Sequence, residues 1–158
     1  MNTSHLEQIS FGIIGFGRFA KKWILPSLEY VSQAQLVAIC SRNSFKPELP
    51  DTIKIFSDYE SMLNDSKITA IYVASPNGLH FEHVSKALKK KKHVLCEKPM
   101  AITPNECITL IELAKKNKCI FHVGHVLRFS NAIEKVKKMI EQGMIGSPRY
   151  AHSYFSYI

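Results

Sequence analysis

The fold is decided by residues 9–20, ISFGIIGFGRFA, in which an apolar run leads into a glycine loop. The loop has the form G-x-G-x-x-A, with Gly15, Gly17 and Ala20 at the marked positions. A loop of this form is informative only where a strand precedes it and a helix follows it. Both conditions are met, because Ile9–Ile14 has the composition of a buried strand and a helical pattern begins directly after the loop.

Each position of this loop has a physical role in holding a dinucleotide. The first glycine permits a tight turn, the second lets the backbone approach a pyrophosphate, and the small third residue allows the helix to pack closely on the strand. The helix N-terminus adds N–H donors and a partial positive charge. The loop therefore predicts a dinucleotide site with cofactor contacts at Gly15, Gly17, Arg18 and Phe19.

Beyond the loop, short apolar runs alternate with helical stretches along most of the chain. The runs are rich in Ile and Val and do not alternate with polar residues, which is typical of parallel strands covered on both faces. They are Ile9–Ile14, Leu36–Cys40, Ile53–Phe56, Ala70–Ala74, His93–Cys96 and Ile120–Gly124. Strict alternation of strand and helix predicts an α/β fold with a doubly wound parallel sheet, the Rossmann arrangement.

The helices between these runs have recognisable starts. Residues 103–106, TPNE, form a capping box with proline at the first helical position and open a helix to about Asn117. Similar patterns predict helices from residue 57 to about 64 and from 79 to about 91. After Gly124 the pattern changes to an amphipathic helix over 131–142, closed by Gly143, and then a tyrosine-rich run from Arg149, which we predict to be a strand.

Composition limits the classes of protein that the chain can belong to. Its 158 residues are 46% hydrophobic and 22% charged, which is globular composition and excludes wholesale disorder. No apolar run reaches the ~18 residues of a membrane span, and the first ten residues lack the basic cluster of a secretory signal. The cysteines show no metal-binding spacing, so we predict no metal site and a cytoplasmic protein with reduced thiols. They are Cys40, Cys96, Cys107 and Cys119.

The formal charge of +8 raises the question of nucleic-acid binding. The lysines, however, cluster over residues 86–92, 115–118 and 135–138, each near the C-terminal end of a predicted helix. There they complement the helix dipole and face solvent. We therefore expect neither a nucleic-acid partner nor a membrane partner.

The end of the second strand bears on which dinucleotide is bound. An NAD site usually places Asp or Glu about 20 residues beyond the glycines, to bind the ribose 2′-hydroxyl. This chain has Ser41 and Arg42 there and no acid. Serine and arginine instead suit a 2′-phosphate, because the guanidinium fork matches phosphate geometry. The residues favour NADP, with NAD as the other candidate; the alternative for Arg42 is a solvated loop residue.

Two further motifs are more specific than the glycine loop. They are ASPNGLH at 74–80 and KHVLCEKP at 92–99. Together they resemble the Gfo/Idh/MocA family, which includes glucose–fructose oxidoreductase and inositol dehydrogenase. The likeness extends over nearly the whole chain and includes Val123-Gly124, Arg128-Phe129 and the 143–146 turn.

The resemblance implies a role for each residue of the second motif. Lys98, the lysine of E-K-P, would lie beside the nicotinamide and the reacting carbon as the catalytic residue. This fits the chemistry, because oxidation of an alcohol by hydride transfer also releases the hydroxyl proton, which a nearby amine accepts. In the family Glu97 contacts the cofactor or orients the lysine, and Pro99 fixes the following backbone, in relatives through a cis bond.

The first motif supplies further cofactor contacts by resemblance. Ser75, Pro76 and Asn77 belong to the loop after the fourth strand and would face the cofactor. His80 is either a cofactor-side residue or a helix-start residue packed against that loop. Arg128 either lines the substrate cleft with Lys98 or anchors the crossover between domains by hydrogen bonds to carbonyls.

Two features depart from the family pattern. Residues 43–52 contain Pro47 and Pro50, which disfavour the helix that relatives place there. Relatives also continue with an antiparallel domain that supplies substrate contacts and the oligomer interface. That domain often contributes a histidine in a D-x-x-x-H element, and this sequence has no such element.

We therefore expect an NAD(P)-binding Rossmann domain at 1–124. Residues 125–158 should then form only the crossover helix and the first strand of a truncated α+β domain for substrate binding and oligomerisation.

Two functions remain open on this evidence. The first is an NAD(P)-dependent oxidoreductase acting on a sugar, cyclitol or nucleotide-sugar, with a sugar-like small molecule as partner and assembly into a homo-oligomer. The second is a non-catalytic, truncated dinucleotide-binding module. In either case we expect the isolated chain to be incomplete as a catalyst, because substrate positioning supplies much of an enzyme's acceleration.

Overall fold

The computed structural model describes residues 8–41 and 49–154. Its strands are β1 Ile9–Ile14, β2 Ala34–Cys40, β3 Lys54–Phe56, β4 Ala70–Val73, β5 His93–Cys96 and β6 Phe121–Val123. They form one parallel six-stranded sheet in the order β3-β2-β1-β4-β5-β6. The strand order reverses between β1 and β4, which opens a crevice at their carboxyl ends. The predicted doubly wound α/β fold is confirmed.

Helices connect these strands. A π-helical segment at Ala20–Ile24 continues into α1 Leu25–Glu29, and the later helices are α2 Tyr59–Asn64, α3 His80–Lys89, α4 Pro104–Asn117 and α5 Asn131–Glu141. Short 3₁₀ turns lie at Asn77–Leu79 and Val126–Phe129. Among the described residues, no helix has the length and apolar character needed to cross a membrane.

The π segment has a local cause in Pro26. In a regular α-helix the ring of Pro26 would clash with the carbonyl of Lys22, and its missing N–H could not bond there. The helix instead widens one residue earlier, where the Leu25 N–H donates to the Ala20 carbonyl. The helix that follows the glycine loop is thus continuous over residues 18–29, with a wide turn in its middle.

Two buried clusters pack on the sheet. Ile13 and Ile39 lie in one cluster, and the next residues along the same strands, Ile14 and Cys40, lie in the other. Because successive strand residues point to opposite faces, the two clusters cover the two faces of the sheet. Tyr72 of β4 belongs to the first cluster and is only 4% exposed, so its hydroxyl requires a partner inside the protein.

α4 begins at the predicted capping box. The Thr103 hydroxyl accepts from the Glu106 N–H at 3.3 Å, and the Glu106 carboxylate accepts from the Thr103 N–H at 3.0 Å. Pro104 occupies the first turn, where its missing N–H costs nothing. The helix ends at Lys118, which adopts a left-handed φ of 56°.

Replacing Thr103 by alanine is expected to lower the free energy of unfolding by about 1 kcal/mol, because an N–H in the first turn loses its acceptor. Thr109→Ala is the matched control. Thr109 lies inside the same helix, where its hydroxyl bonds the Asn105 carbonyl, and alanine is the better helix former there. Urea denaturation of both variants checks the prediction, and equal losses would contradict the capping role.

The chain divides into two compact units, with the boundary between Gly124 and His125. In the second unit α5 ends in a Schellman motif. The Gly143 N–H bonds the Ile140 carbonyl, the Met144 N–H bonds the Met139 carbonyl, and Gly143 has a φ of 69°. The predicted strand from Arg149 is not formed over residues 149–154, which carry no regular secondary structure. A strand requires a neighbouring backbone for its hydrogen bonds, and none is paired with these residues.

Candidate functional site

A cleft of about 810 Å³ lies at the carboxyl end of the sheet. Its floor is formed by the ends of β1, β2 and β4, and its walls by the glycine loop and the starts of α2 and α3. This is the position at which open α/β sheets bind ligands, because the neighbouring connections leave in opposite directions there. Five predicted cofactor contacts line the cleft: Gly15, Gly17, Ser41, Ser75 and Pro76. Phe16, which lies between the two glycines, also lines it.

The two glycines of the loop are required for different reasons. Gly15 has a φ of 89°, and a Cβ there would stand 2.5 Å from the Ser75 nitrogen and 2.6 Å from the Ala74 carbonyl carbon. A Cβ on Gly17 would meet nothing within 4 Å. Gly15 thus allows the loop to pass directly over the end of β4, whereas Gly17 keeps open space above the backbone. An open backbone surface beside a helix start fits a pyrophosphate.

Arg18 and Phe19 form the first helical turn after the loop. N–H groups in the first turn of a helix have no partner within it, and the Phe19 side chain does not cap the π segment that begins at Ala20. Both residues are exposed, Phe19 to 46%. Phe16 is buried, and the Lys21 ammonium lies 5.6 Å from its ring centroid. Gly17 lines the cleft directly before this turn, whereas Arg18 and Phe19 do not line it.

Ser41 marks the end of β2 and is half-buried at the edge of the cleft. Its N–H donates to the Phe56 carbonyl at 3.1 Å, which fixes it between the ends of β2 and β3. Arg42 and most of the proline-containing stretch after it lie outside the described residues.

The wall opposite the glycine loop contains residues that sequence reasoning missed. Tyr59 and Glu82 line the cleft, and the Tyr59 hydroxyl donates to the Glu82 carboxylate at 2.5 Å. The Lys86 ammonium donates to the same hydroxyl at 2.9 Å and pairs with Glu60. The bond to Glu82 raises the pKa of Tyr59 above its ordinary value, so the phenol stays a donor. No sequence motif marks this wall, because it forms only where α2 packs on α3.

Asp58 is a second acid on this wall. Its carboxylate accepts from the Ser61 N–H at 2.7 Å and caps α2. That backbone hydrogen bond lowers the pKa of Asp58 below its ordinary value, so the group is ionised at neutral pH. Its primary contact is with its own helix.

The loop after β4 is held by two buried histidines. The His83 Nδ1 lies 2.9 Å from the Ser75 hydroxyl, and the His83 ring packs against Tyr59 with centroids 4.5 Å apart. His80 is fully buried, with Nε2 2.9 Å from the Ser75 carbonyl and Nδ1 2.6 Å from the Pro99 carbonyl. His80 therefore ties the Ser75 loop to the E-K-P segment. Of its two interpretations, packing against the loop is the one that this geometry matches.

Pro76 lines the cleft and Asn77 begins the 3₁₀ turn that leads into α3. The Leu79 N–H donates to the Pro76 carbonyl at 2.8 Å, which closes this turn. Asn77 is exposed on the same loop. The loop thus reaches the cleft through its proline and presents the asparagine to solvent.

The E-K-P segment follows β5 and does not line the cleft. Glu97 is half-buried and Lys98 is exposed, and the Lys98–Pro99 peptide bond is cis, as the resemblance implied. The preceding Cys96 is buried, which raises the pKa of its thiol to about 12 and keeps it protonated. Lys98 is therefore the reactive group of this segment that solvent and ligands can reach.

Glu97 is held by contacts that the sequence did not indicate. The Tyr72 hydroxyl donates to Glu97 Oε1, and the Lys98 N–H lies 3.3 Å from Oε2. A Cβ on Gly124 would stand 3.0 Å from Oε1, so this glycine leaves room for the carboxylate. Burial and the bond to Glu97 raise the pKa of Tyr72 well above its ordinary value. In the sequence only Tyr72 itself pointed to this contact, because a phenol inside a buried strand needs a hydrogen-bond partner.

Arg128 belongs to the second unit, in the 3₁₀ turn Val126–Phe129. Its side chain is exposed there, and its N–H donates to the His125 carbonyl at 3.0 Å. The contact is made by the backbone of Arg128 and leaves its guanidinium available.

Comparison with known proteins agrees with this geometry. Residues 9–125 match the Gfo/Idh/MocA profile, described as an oxidoreductase family with an NAD-binding Rossmann fold. The chain is 28% identical over 151 residues to a 2,7-anhydro-N-acetylneuraminate hydratase of Escherichia coli (strain K12), covering 92% of this chain and 39% of that protein. The chain thus spans about 40% of the length of the curated relatives it matches.

Two solved structures superpose closely on the chain. The Y186F mutant of KijD10, a 3-ketoreductase from Actinomadura kijaniata in complex with TDP-benzene and NADP, is 26% identical with a TM-score of 0.80, covering 90% of this chain and 45% of that one. A scyllo-inositol dehydrogenase from Lactobacillus casei with bound NAD(H) and scyllo-inositol is 25% identical with a TM-score of 0.77, covering 89% and 43%. One neighbour therefore holds NADP and the other NAD(H).

Proposed function

The chain belongs to the Gfo/Idh/MocA family of NAD-binding oxidoreductases, and from that membership we propose that residues 1–124 are the cofactor half of an NAD(P)-dependent oxidoreductase. Its substrate is a sugar, cyclitol or nucleotide-sugar, on which a hydroxyl and a keto carbon are interconverted. The observation that carries the proposal is the open backbone at Gly17 beside the start of a helix, at the carboxyl edge of a parallel sheet. The two similar structures that hold a nicotinamide dinucleotide support it.

The residues of the glycine loop bind the pyrophosphate in this proposal. Gly17 leaves space for it, and the N–H groups of Arg18 and Phe19 donate to its oxygens. Ser75, Pro76 and Asn77 contact the dinucleotide from the loop after β4, and Tyr59 closes the opposite wall. The His80 contacts hold the Ser75 loop and the E-K-P segment in one arrangement.

Lys98 is the catalytic residue of the proposal. The nicotinamide, when bound, accepts or supplies the hydride. Lys98 accepts the hydroxyl proton when the substrate is oxidised and returns it when the ketone is reduced. Its exposure at the carboxyl edge of the sheet lets a substrate reach the amine. Glu97 is fixed beside it, and the exposed guanidinium of Arg128, in the second unit, stays the candidate cation for the substrate.

Ser41 and Arg42 support a preference for NADP. Ser41 stands at the edge of the cleft at the end of β2, where a ribose 2′-substituent is read. Arg42 follows it directly. On the cleft wall formed by α2 and α3, the Glu82 carboxylate is paired with the Tyr59 hydroxyl and the Lys86 ammonium, and the Asp58 carboxylate caps α2.

The four free cysteines support a cytoplasmic location. We propose that the protein assembles as a homo-oligomer, as its family does.

Dinucleotide binding by the 158-residue chain tests the proposal. Trp23, which is 56% exposed, lies on the helix that starts at the glycine loop, and its fluorescence should be quenched by bound cofactor. We expect saturable quenching with NADPH and weaker quenching with NADH. Equal affinities would remove the NADP preference, and no binding of either dinucleotide would overturn the proposed function.

Arg42→Asp is expected to reverse the order of affinities, so that NADH binds more tightly than NADPH. A hydrogen bond to a charged group contributes about 1.5–3 kcal/mol, so losing the guanidinium should weaken NADPH binding by about 10-fold or more. The new carboxylate accepts from a ribose 2′-hydroxyl and repels a 2′-phosphate. Arg149→Asp, with the same charge change in the second unit, is the control and should alter neither dissociation constant by more than about twofold. Unchanged NADPH affinity in Arg42→Asp would contradict the assignment.

A further inference from the structure

A phenol and a carboxylate are paired between β4 and the end of β5, at the carboxyl edge of the sheet where the cleft also lies. Tyr72 sits in β4 and Glu97 directly follows β5, its neighbour in the sheet. The parallel register pairs Tyr72 with Leu95 and Val73 with Cys96, which brings Glu97 just beyond the strand that carries the phenol. The Tyr72 hydroxyl then donates to Glu97 Oε1.

Each oxygen of the half-buried Glu97 carboxylate has a contact in the structure. Tyr72 fixes Oε1, and the backbone N–H of Lys98 approaches Oε2 at 3.3 Å. The Glu97 N–H itself donates to the Val73 carbonyl at 2.9 Å. Gly124 offers only enough space for Oε1, since a Cβ there would come within 3.0 Å. The position of this negative charge is therefore set by the fold.

The Glu97 carboxylate and the ammonium of the neighbouring Lys98 are not paired. Among the ion pairs of the described part of the chain, none joins the Lys98 ammonium to Glu97. A neutral phenol donor orients the carboxylate without removing its charge. Burial raises the pKa of Tyr72, so that the phenol keeps its proton.

The position of Glu97 in the sheet indicates which part of a bound dinucleotide its carboxylate would face. In a doubly wound sheet the β1–β3 half takes the adenosine side of a dinucleotide and the β4–β6 half takes the other nucleotide. Glu97 follows β5, in the second half. The nicotinamide ring carries a positive charge when oxidised and none when reduced. A fixed carboxylate at this end attracts only the oxidised ring.

We infer that Tyr72 is a positioning residue that holds the Glu97 carboxylate at the nicotinamide end of the site, where its charge favours the oxidised cofactor over the reduced one. The inference rests on the proposed function, because it requires a nicotinamide dinucleotide in the cleft. It deepens that function by assigning the balance between the two redox forms to a pair of residues outside the glycine loop.

The test is the ratio of dissociation constants for NADP⁺ and NADPH, measured by calorimetry on the 158-residue chain. In Glu97→Gln the ratio should move about tenfold in favour of NADPH, because a unit charge near the ring is lost. In Tyr72→Phe it should move in the same direction by about threefold. In the double variant it should equal that of Glu97→Gln, because Tyr72 acts only through the carboxylate.

Tyr59→Phe is the matched control. Tyr59 also donates to a carboxylate, that of Glu82, but it stands at the start of α2, which follows β3 in the adenosine half of the sheet. Its loss should weaken both redox forms equally and leave the ratio unchanged. A change that merely loosened the fold would behave in the same way.

Three results would overturn the inference. The first is a ratio of dissociation constants that Glu97→Gln leaves unchanged. The second is a change in that ratio on adding Tyr72→Phe to Glu97→Gln that is as large as the change in the wild-type background. The third is a change in Tyr59→Phe equal to that in Tyr72→Phe. Glu97→Gln alone decides the charge effect if Tyr72→Phe does not fold. In each of these cases the wild-type chain still binds dinucleotide, which leaves the proposed function standing, whereas a wild-type chain that binds neither form overturns both.

Discussion

Replacing Gly17 by alanine is expected to weaken NADPH binding about 100-fold and to leave the fold intact. A Cβ at this position meets nothing within 4 Å in the free protein, so the folded chain accommodates it. Alanine also restricts the unfolded chain, which should raise stability by about 0.4–1 kcal/mol. The methyl group would, however, occupy the space in which the pyrophosphate approaches the backbone. Losing one or two charge-assisted hydrogen bonds at about 1.5–3 kcal/mol each accounts for the expected loss of affinity.

Gly15→Ala is the matched comparison, because its added methyl group would clash within the folded protein itself. Its Cβ would stand 2.5 Å from the Ser75 nitrogen, a backbone atom that cannot rotate away. The positive φ of 89° adds the strain of a left-handed conformation. We expect a loss of about 2–5 kcal/mol in the free energy of unfolding.

Calorimetric titration and urea denaturation of both glycine variants separate the two roles. The expected pattern is slightly raised stability with poor binding for Gly17→Ala, and poor stability for Gly15→Ala. Wild-type affinity in Gly17→Ala would show that the dinucleotide does not approach this backbone. A large loss of stability in Gly17→Ala would show that the space above it is used by the protein itself.

The parts of the fold that are fixed by local signals could be predicted from the sequence. The strands Ile9–Ile14 and His93–Cys96 and the helix from Pro104 to Asn117 match the prediction at both ends. Other strand ends differ from the prediction by one or two residues. β2, for example, begins at Ala34 and not at Leu36, because the two residues before the apolar run also pair with β1. Strand composition, caps and glycines are local properties, so a single sequence carries them.

The rest depends on packing between distant segments. Tyr72 and Glu97 are 25 residues apart, and only the register of β4 on β5 brings them together. Tyr59 meets Glu82 because α2 packs on α3, and no motif connects those helices. The strand predicted after Arg149 is not formed over residues 149–154 for a related reason. Its extended, aromatic pattern suits a strand, but a strand forms only with a partner backbone.

Lys98→Ala is expected to lower kcat by about 10²–10⁴-fold in the protein expressed from its complete gene, with the sugar or cyclitol that a substrate panel identifies. The amine is the group of the E-K-P segment that a substrate can reach, since Glu97 is half-buried and engaged by Tyr72. Without it the hydroxyl proton has no acceptor when the hydride leaves. The cofactor dissociation constant should change by less than about twofold, because the glycine loop and the β4 loop are untouched.

Lys98→Arg distinguishes proton transfer from simple charge. A guanidinium keeps the positive charge but does not give up its proton in proteins, so this variant should be nearly as slow as Lys98→Ala. Addition of a small primary amine such as ethylamine should restore part of the rate to Lys98→Ala and none to Lys98→Arg, in which the space remains filled. Single-turnover measurements of nicotinamide absorbance at 340 nm follow the hydride step directly. A rate within about threefold of wild type in Lys98→Ala would remove Lys98 from the catalytic step altogether. Full activity in Lys98→Arg would remove it from proton transfer and leave it only the role of a cation near the substrate.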